Sequence, residues 1–383
     1  MHPTHRLADV ERAMASAPAH SLGDAVRDIL HTRYGAAEAE VLLADYRSRS
    51  LEPVLHPGSG GHPVPSSPAG TAFAQQRTVV DGDFHHLPIS VRGDRLGVLR
   101  LRWAGTPPGD LELAELTELA ARVGQALVAA EVVTDRFRRA RRTERLTLAA
   151  EMQWDLLPGR GLDQAEFSLA GQLEPAYAVR GDNFDWSSDE EHLTIAVTNG
   201  MGESVDAALL TSLAIHALRN ARRAGVELAD QAALADQAIW AQHGGKQHVS
   251  TLLLQIELAT GRLAVIDAGS PQIWRLRGDE VLDMRLEPQL PLGMFDSTHY
   301  LEQRFELVPG DRLMIISDGV YEARSGERSY GDELLSALLA STRDLSAAEA
   351  VRALLADLSR FGGEADPEDD AVAVCLDWRG RPS

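Results

Sequence analysis

Apolar positions change period along this chain, and the changes mark three stretches. Over residues 21–103 helical and strand patterns alternate. Ala25, Val26, Ile29 and Leu30 recur at helical spacing behind Ser21, a residue type suited to an N-cap, and residues 40–43 read as a strand. A Gly-, Pro- and Ser-rich stretch over 58–70 predicts a loop, and apolar runs at 87–91 and 96–101 flank Arg92-Gly93-Asp94 as a hairpin. Residues 111–157 contain no proline and only Gly124, while Leu113, Leu116, Val123, Leu127 and Val128 line one side. That pattern predicts one long helix or two in tandem, which would pair with a twin in a parallel homodimer.

Past Pro158 strand-like runs dominate, at 192–197, 248–258, 262–268, 272–276, 312–317 and 371–377, with Ala259-Thr260-Gly261 as a hairpin turn. Three helices interleave. One follows Ser204, carries Ala207, Leu209, Leu210, Leu213 and Ile215, and ends on Arg219, Arg222, Arg223 and Gly225. The second covers 231–242, and the third opens on a capping box, Ser346 with Glu349, and runs to Phe361 before Gly362-Gly363. The expected architecture is α+β: a small α/β domain over 1–110, a helical linker over 111–158, and a β-sandwich flanked by helices over 159–383.

Composition narrows the function. A net charge of −20, from 37 basic and 57 acidic residues, disfavours nucleic acid and anionic membrane surfaces as partners. Against it, the basic run at 136–142 reads as a solvated helix face. No apolar stretch has transmembrane length, no signal-peptide core follows Met1, and Cys375 is the only cysteine, inside an apolar run; these place the chain in a reducing cytoplasm. His85-His86 and His243 with His248 lack the ligand set of a zinc site.

The chemistry concentrates in four patches: Arg180-Gly181-Asp182-Asn183-Phe184-Asp185, Thr198-Asn199-Gly200-Met201-Gly202, Ser317-Asp318-Gly319-Val320 and Asp366-Pro367-Glu368-Asp369-Asp370. Any single Asp-Gly pair is an ordinary turn. Three of the patches, however, adjoin strand-like runs, and carboxylates at strand ends can converge on a hard divalent cation.

In this order the patches resemble the PPM (PP2C-like) protein phosphatases of the bacterial SpoIIE and RsbU type. Residues 180–185 match the family's Gly-Gly-Asp-x-x-Asp except at Arg180, and Asn199-Gly200-Met201-Gly202-Glu203-Ser204 leads into Ala207-Ala208-Leu209-Leu210. Asp267-Ala268-Gly269-Ser270-Pro271, Leu290-Pro291-Leu292-Gly293 and Pro309-Gly310-Asp311-Arg312-Leu313 add further matches. Residues 150–158 resemble the helix-to-phosphatase junction of the same family. The first stretch resembles a GAF domain, on Ser67-Pro68-Ala69-Gly70-Thr71-Ala72-Phe73 and the following hairpin; its ligand is not legible.

The resemblance implies two Mn²⁺ or Mg²⁺ ions that activate water against a phosphoserine or phosphothreonine. It implies metal ligands at Asp182, Asn199, Gly200 (by its carbonyl), Asp318 and Asp369, with Asp185 and Asp370 orienting water or ligands around them. It also implies a role in sigma-factor partner switching, with a phosphorylated anti-sigma factor antagonist as substrate. Asn199 stands where the family has the carboxylate that contacts both metals, so the site is one charge short and one ion is expected to bind weakly. Glu203, Ser204 and Ser270 are further departures. Two readings follow, an impaired metal-dependent phosphatase and a pseudophosphatase that binds without turnover; a GAF-based scaffold with a structural C-terminal domain is a third.

Overall fold

The computed structural model describes residues 3–105, 107–175, 179–363 and 369–381, with side chains from residue 6 onward. The chain divides into two compact units, Met1–Arg145 and Leu146–Ser383.

The first unit contains α1 (Pro3–Ser16), α2 (Leu22–Tyr34), β1 (Glu38–Ala44), β2 (Ser50–Pro53), β3 (His62–Pro63), α3 (Pro68–Gln75), β4 (Val79–Asp81), β5 (Phe84–Val91), β6 (Asp94–Arg102), α4 (Asp110–Glu131) and α5 (Arg136–Ala140). Its strands form one antiparallel sheet in the order β3-β2-β1-β6-β5-β4. Val10, Val26, Leu30, Leu116, Val123 and Leu127 pack helices α1, α2 and α4 on one face with Leu43, Ile89 and Leu99. Phe73 and Ala72 of α3 cover the other with Leu42 and Val98. The hairpin turn places Arg92 and Gly93 at positive φ, as a tight two-residue connection requires. Ser21 does precede α2, but its side chain makes no capping hydrogen bond.

The single long helix or tandem pair expected over 111–157 is three helical segments. Val132, Val133 and Thr134, β-branched in succession, follow the end of α4, and the chain is non-helical again at 141–147. Leu116, Val123 and Leu127 of the stripe expected to meet a twin are buried within their own unit instead. Gly124 allows the approach, since a Cβ there would press on Ile89 and Val91. Residues 111–158 therefore divide at 145/146, and the last helical segment belongs to the second unit.

The second unit begins with α6 (Leu148–Leu156), β7 (Gly161–Asp163), β8 (Phe167–Glu174), β9 (Asp182–Ser188), β10 (His192–Gly200), α7 (Ser204–Arg223) and α8 (Leu228–His243). It continues through β11 (Val249–Glu257), β12 (Arg262–Ala268), β13 (Gln272–Arg277), β14 (Glu280–Asp283), β15 (Gln303–Glu306), β16 (Arg312–Ile316) and α9 (Asp318–Tyr321). A short hairpin of β17 (Arg324–Ser325) and β18 (Arg328–Ser329), α10 (Ser336–Ser341), α11 (Ala347–Gly362) and β19 (Ala371–Trp378) complete it. Two antiparallel sheets result, β15-β12-β11-β10-β9 and β14-β13-β16-β19-β8-β7.

Strand alternation assigns the layers. Ala196, Leu253 and Ile266 face α7 and α8 on the outside of the first sheet, and Met314, Ala373 and Cys375 face α11 on the outside of the second. Phe184 and Trp186 stack on each other and close over Gly171 of β8, where any Cβ would strike both rings. Helix, sheet, sheet, helix is the order of layers. Helix α11 starts with the expected capping box at Ser346 and Glu349.

His86 in the first unit is buried on β5, and burial, reinforced by Arg100 and His62 and opposed by Asp81, pushes its imidazole down to about 4. A depressed imidazole favours the neutral folded form, so its contribution is complete above the unfolded value of about 6.5 and is lost as pH falls toward 4. Thermal unfolding of the full chain should show His86→Gln losing less stability than the parent across that window; identical losses would contradict this environment.

Candidate functional site

Four strand ends meet at one end of the sandwich. Asp182 opens β9 and lies directly opposite Asn199, near the end of β10, in the cross-strand register. Asp318 follows β16 through Ser317, and Asp369 and Asp370 precede β19, its neighbour. Because side chains alternate, Asp182 shares the inter-sheet face of β9 with Phe184, and Asn199 shares that of β10 with Val197. Ser317 ties the second pair of ends together: its N–H donates to the Val372 carbonyl, and its hydroxyl accepts from the Val372 N–H. A Cβ at Gly319 would run into the Asp370 carbonyl, which explains the Asp-Gly pair there. Gly181 is at φ +95°, and a Cβ on it would crowd the Gly200 carbonyl.

Asp370 organises the loop that carries Asp182. Its Oδ2 accepts from the N–H groups of Arg180 at 2.8 Å, Gly181 at 2.9 Å and Asp182 at 3.3 Å, and from Gln153 Nε2 at 2.8 Å. The same Gln153 nitrogen donates to the Asp182 carbonyl at 2.9 Å, and the Gln153 carbonyl accepts from Asn183 Nδ2. Gln153 is fully buried on α6, so the first helix of the unit is bonded straight to the loop. The orienting role expected of Asp370 matches this geometry.

Asp182 has no solvent exposure, and among the described residues neither of its carboxylate oxygens has a hydrogen-bond partner. Burial raises its pKa well above the usual carboxylate range; Asp318, Asp370 and Asp369 push the same way, and the nearby Ser317 hydroxyl offsets only part. Asp369, whose Oδ1 accepts from the Asp370 N–H, is pushed up to about 6 by burial and by Asp318, against the pull of that N–H and of Arg180.

Asn199 Nδ2 lies 2.7 Å from both oxygens of Asp318. The Ser270 hydroxyl adds a donor to Oδ2 at 3.3 Å and the Gly319 N–H one to Oδ1 at 3.0 Å. The amide thus meets Asp318 as a donor, with its nitrogen placed by the hydrogen bonds it can make. Tyr321 donates to the Ser270 carbonyl at 2.7 Å and is pushed up to about 12, chiefly by burial. Arg180 pairs with Glu203 at 3.4 Å, so two departures from the family pattern bind each other. Ser204, a third, sits at φ +58°, where a glycine would rest without strain.

Asp185 is placed elsewhere. Three residues along β9 from Asp182, it points to the opposite face, where Arg219 holds it at 2.8 Å and Arg222 at 3.0 Å from α7. Both oxygens are occupied by these arginines, which corrects the expectation that it orients water or ligands in the cleft. Asp366, Pro367 and Glu368 lie outside the described residues. The junction motif over 150–158 is the sequence signal for Gln153, and the sequence places Arg219 and Arg222 at a helix end without showing that Asp185 is their partner.

A divalent cation fits part of this cleft. Among the described residues no donor reaches the Asp182 oxygens at full hydrogen-bond geometry, and Asp318, Asp370 and Asp369 add negative charge around them. The donor face of Asn199 does not fit a cation. Among the described residues no three His, Cys, Asp or Glu side chains form a ready metal-holding group.

The helix-flanked double sheet is the fold of a solved PP2C phosphatase domain. Residues 189–379 match the family model for stage II sporulation protein E (SpoIIE). The C-terminal unit is a SpoIIE-type PP2C phosphatase domain. Among relatives, the chain is 23% identical over 209 residues to protein IcfG of Synechocystis sp. (strain ATCC 27184 / PCC 6803 / Kazusa), covering 47% of this chain and 33% of that protein. It is 20% identical over 181 residues to the phosphoserine phosphatase RsbU of Bacillus subtilis (strain 168), covering 47% of this chain and 54% of that one. The chain thus spans about a third and about half of these curated relatives. The solved PP2C phosphatase domain of SpoIIE from Bacillus subtilis, with a fragment of its regulatory domain, superposes with a TM-score of 0.50 at 18% identity, covering 58% of this chain and 66% of that one. No helix among the described residues is long and apolar enough to cross a membrane.

Removing the buried Asp185 carboxylate leaves two arginines without their partner. Asp185→Ala should cost about 3–5 kcal/mol in urea unfolding. The folded protein should bind Mn²⁺ as the parent does; a stable variant that loses Mn²⁺ binding would return Asp185 to the cleft.

Proposed function

We propose that the chain is a metal-dependent protein serine/threonine phosphatase of the PPM class, acting in partner-switching signalling with turnover impaired by Asn199. The observation that carries the reading is the pair of 2.7 Å contacts from the Asn199 amide to Asp318, inside a cleft that otherwise keeps Asp182 and Asp369. The name of the relative RsbU supports a phosphoserine substrate, and a phosphorylated anti-sigma factor antagonist is the substrate class we assign. The first unit acts as a GAF-like control domain. A homodimer would use apolar positions left exposed along 111–158, namely Leu111, Val128, Val132, Val133 and Leu148.

Asp182 and Asp369 would hold a Mn²⁺ or Mg²⁺ ion, with the Gly200 carbonyl. The chemistry supplied there, with an ion bound, would be an acidified water as nucleophile. The chain's own residues do the rest. Asp370 and Gln153 fix the loop, so Asp182 is presented without reorganisation. The Ser270 hydroxyl donates to Asp318, and Tyr321 holds Ser270 by its carbonyl.

The same contacts favour a second reading, a pseudophosphatase that binds its phosphoprotein partner without hydrolysing it. Phosphate release from a phosphoserine peptide with excess Mn²⁺ decides between them. Asn199→Asp should release phosphate at least about tenfold faster than the parent, equivalent to about 1.4 kcal/mol of barrier, with Asp182→Asn as the inactive control. No release from either parent or Asn199→Asp would establish the binding role alone, and equal rates in the two would clear Asn199 of impairing the site.

A further inference from the structure

Both carboxylate oxygens of Asp318 are engaged by neutral donors. Asn199 spans both of its oxygens, Ser270 reaches Oδ2 and the Gly319 N–H reaches Oδ1, so an ion approaching it must displace neutral donors already in place. Asp182 is its opposite: across one strand pair from Asn199, wholly buried, with both oxygens lacking any partner among the described residues. A buried carboxylate without donors is costly, and a cation or a proton relieves it. Mg²⁺ and Mn²⁺ retain several waters and are commonly held by one or two carboxylates, so Asp182 with Asp369 is a sufficient protein contribution.

We propose that this cleft takes one divalent cation, at Asp182 and Asp369, and that the Asn199 amide occupies Asp318 in place of a second. The assignment rests on the phosphatase-type reading of the site and adds its ion count. Arg180, tied to Glu203 at the cleft, supplies a fixed positive charge on the same loop as Asp182. An amide cannot bridge two cations as a carboxylate does, since it offers a single neutral acceptor oxygen.

Calorimetric titration of the EDTA-stripped full chain with Mn²⁺, checked by the electron paramagnetic resonance signal of free Mn²⁺, counts the ions without reference to turnover. The parent should bind one, Asn199→Asp should bind two, and Asp182→Asn should bind none, with Asp182→Ser as a second variant and circular dichroism verifying that each is folded. Two ions or none in the parent would overturn the proposal. So would retention of the ion in both folded Asp182 variants, or a single ion in Asn199→Asp. One ion with no phosphate release from any variant leaves the ion count standing and removes the phosphatase reading. Two ions with release does the reverse.

Discussion

The contact between the Asn199 amide and the Asp318 carboxylate is the constraint on which the character of the cleft depends. It joins the end of β10 in one sheet to the end of β16 in the other, at the position where the SpoIIE-type fold brings its strand ends together. A carboxylate at position 199 would repel Asp318 unless a cation lay between them. An amide attracts it directly. The sandwich can therefore close at this end without an ion on Asp318, while Asp182 and Asp369 keep raised pKa values.

Around that contact the acidic residues perform different physical tasks. Asp370 is a backbone organiser, spending one oxygen on three successive N–H groups and on Gln153. Asp185 is a structural anchor that draws α7 onto the outer face of β9 through Arg219 and Arg222. Asp182 and Asp369 are left as chemical acceptors. The division follows from strand alternation and burial more than from residue type, since all four are aspartates within two short motifs.

Much of this was legible in the sequence because it lay in periodic or ordered signals. The β10, β11, β12, β13, β16 and β19 runs, helix α7 and the Ser346 capping box appear where the pattern puts them. The ordered motifs carry the identity of the C-terminal domain in the sequence itself. Strand β9 escaped, because Asp182, Asn183 and Asp185 make it read as a polar loop although it is buried on both faces at its start. The helical stretch over 111–157 misled for a related reason: an apolar stripe records that a helix has a partner, not whether the partner is its own sheet. Which face Asp185 takes, and that Gln153 reaches Asp370 across 217 positions, are consequences of tertiary packing that no local pattern carries.

The most direct test of the central claim is an anomalous difference map from crystals of the full chain equilibrated with Mn²⁺. The account predicts one manganese peak beside Asp182 and Asp369, with the Asn199 nitrogen still on Asp318. Two peaks joined through the Asn199 side-chain oxygen would contradict it.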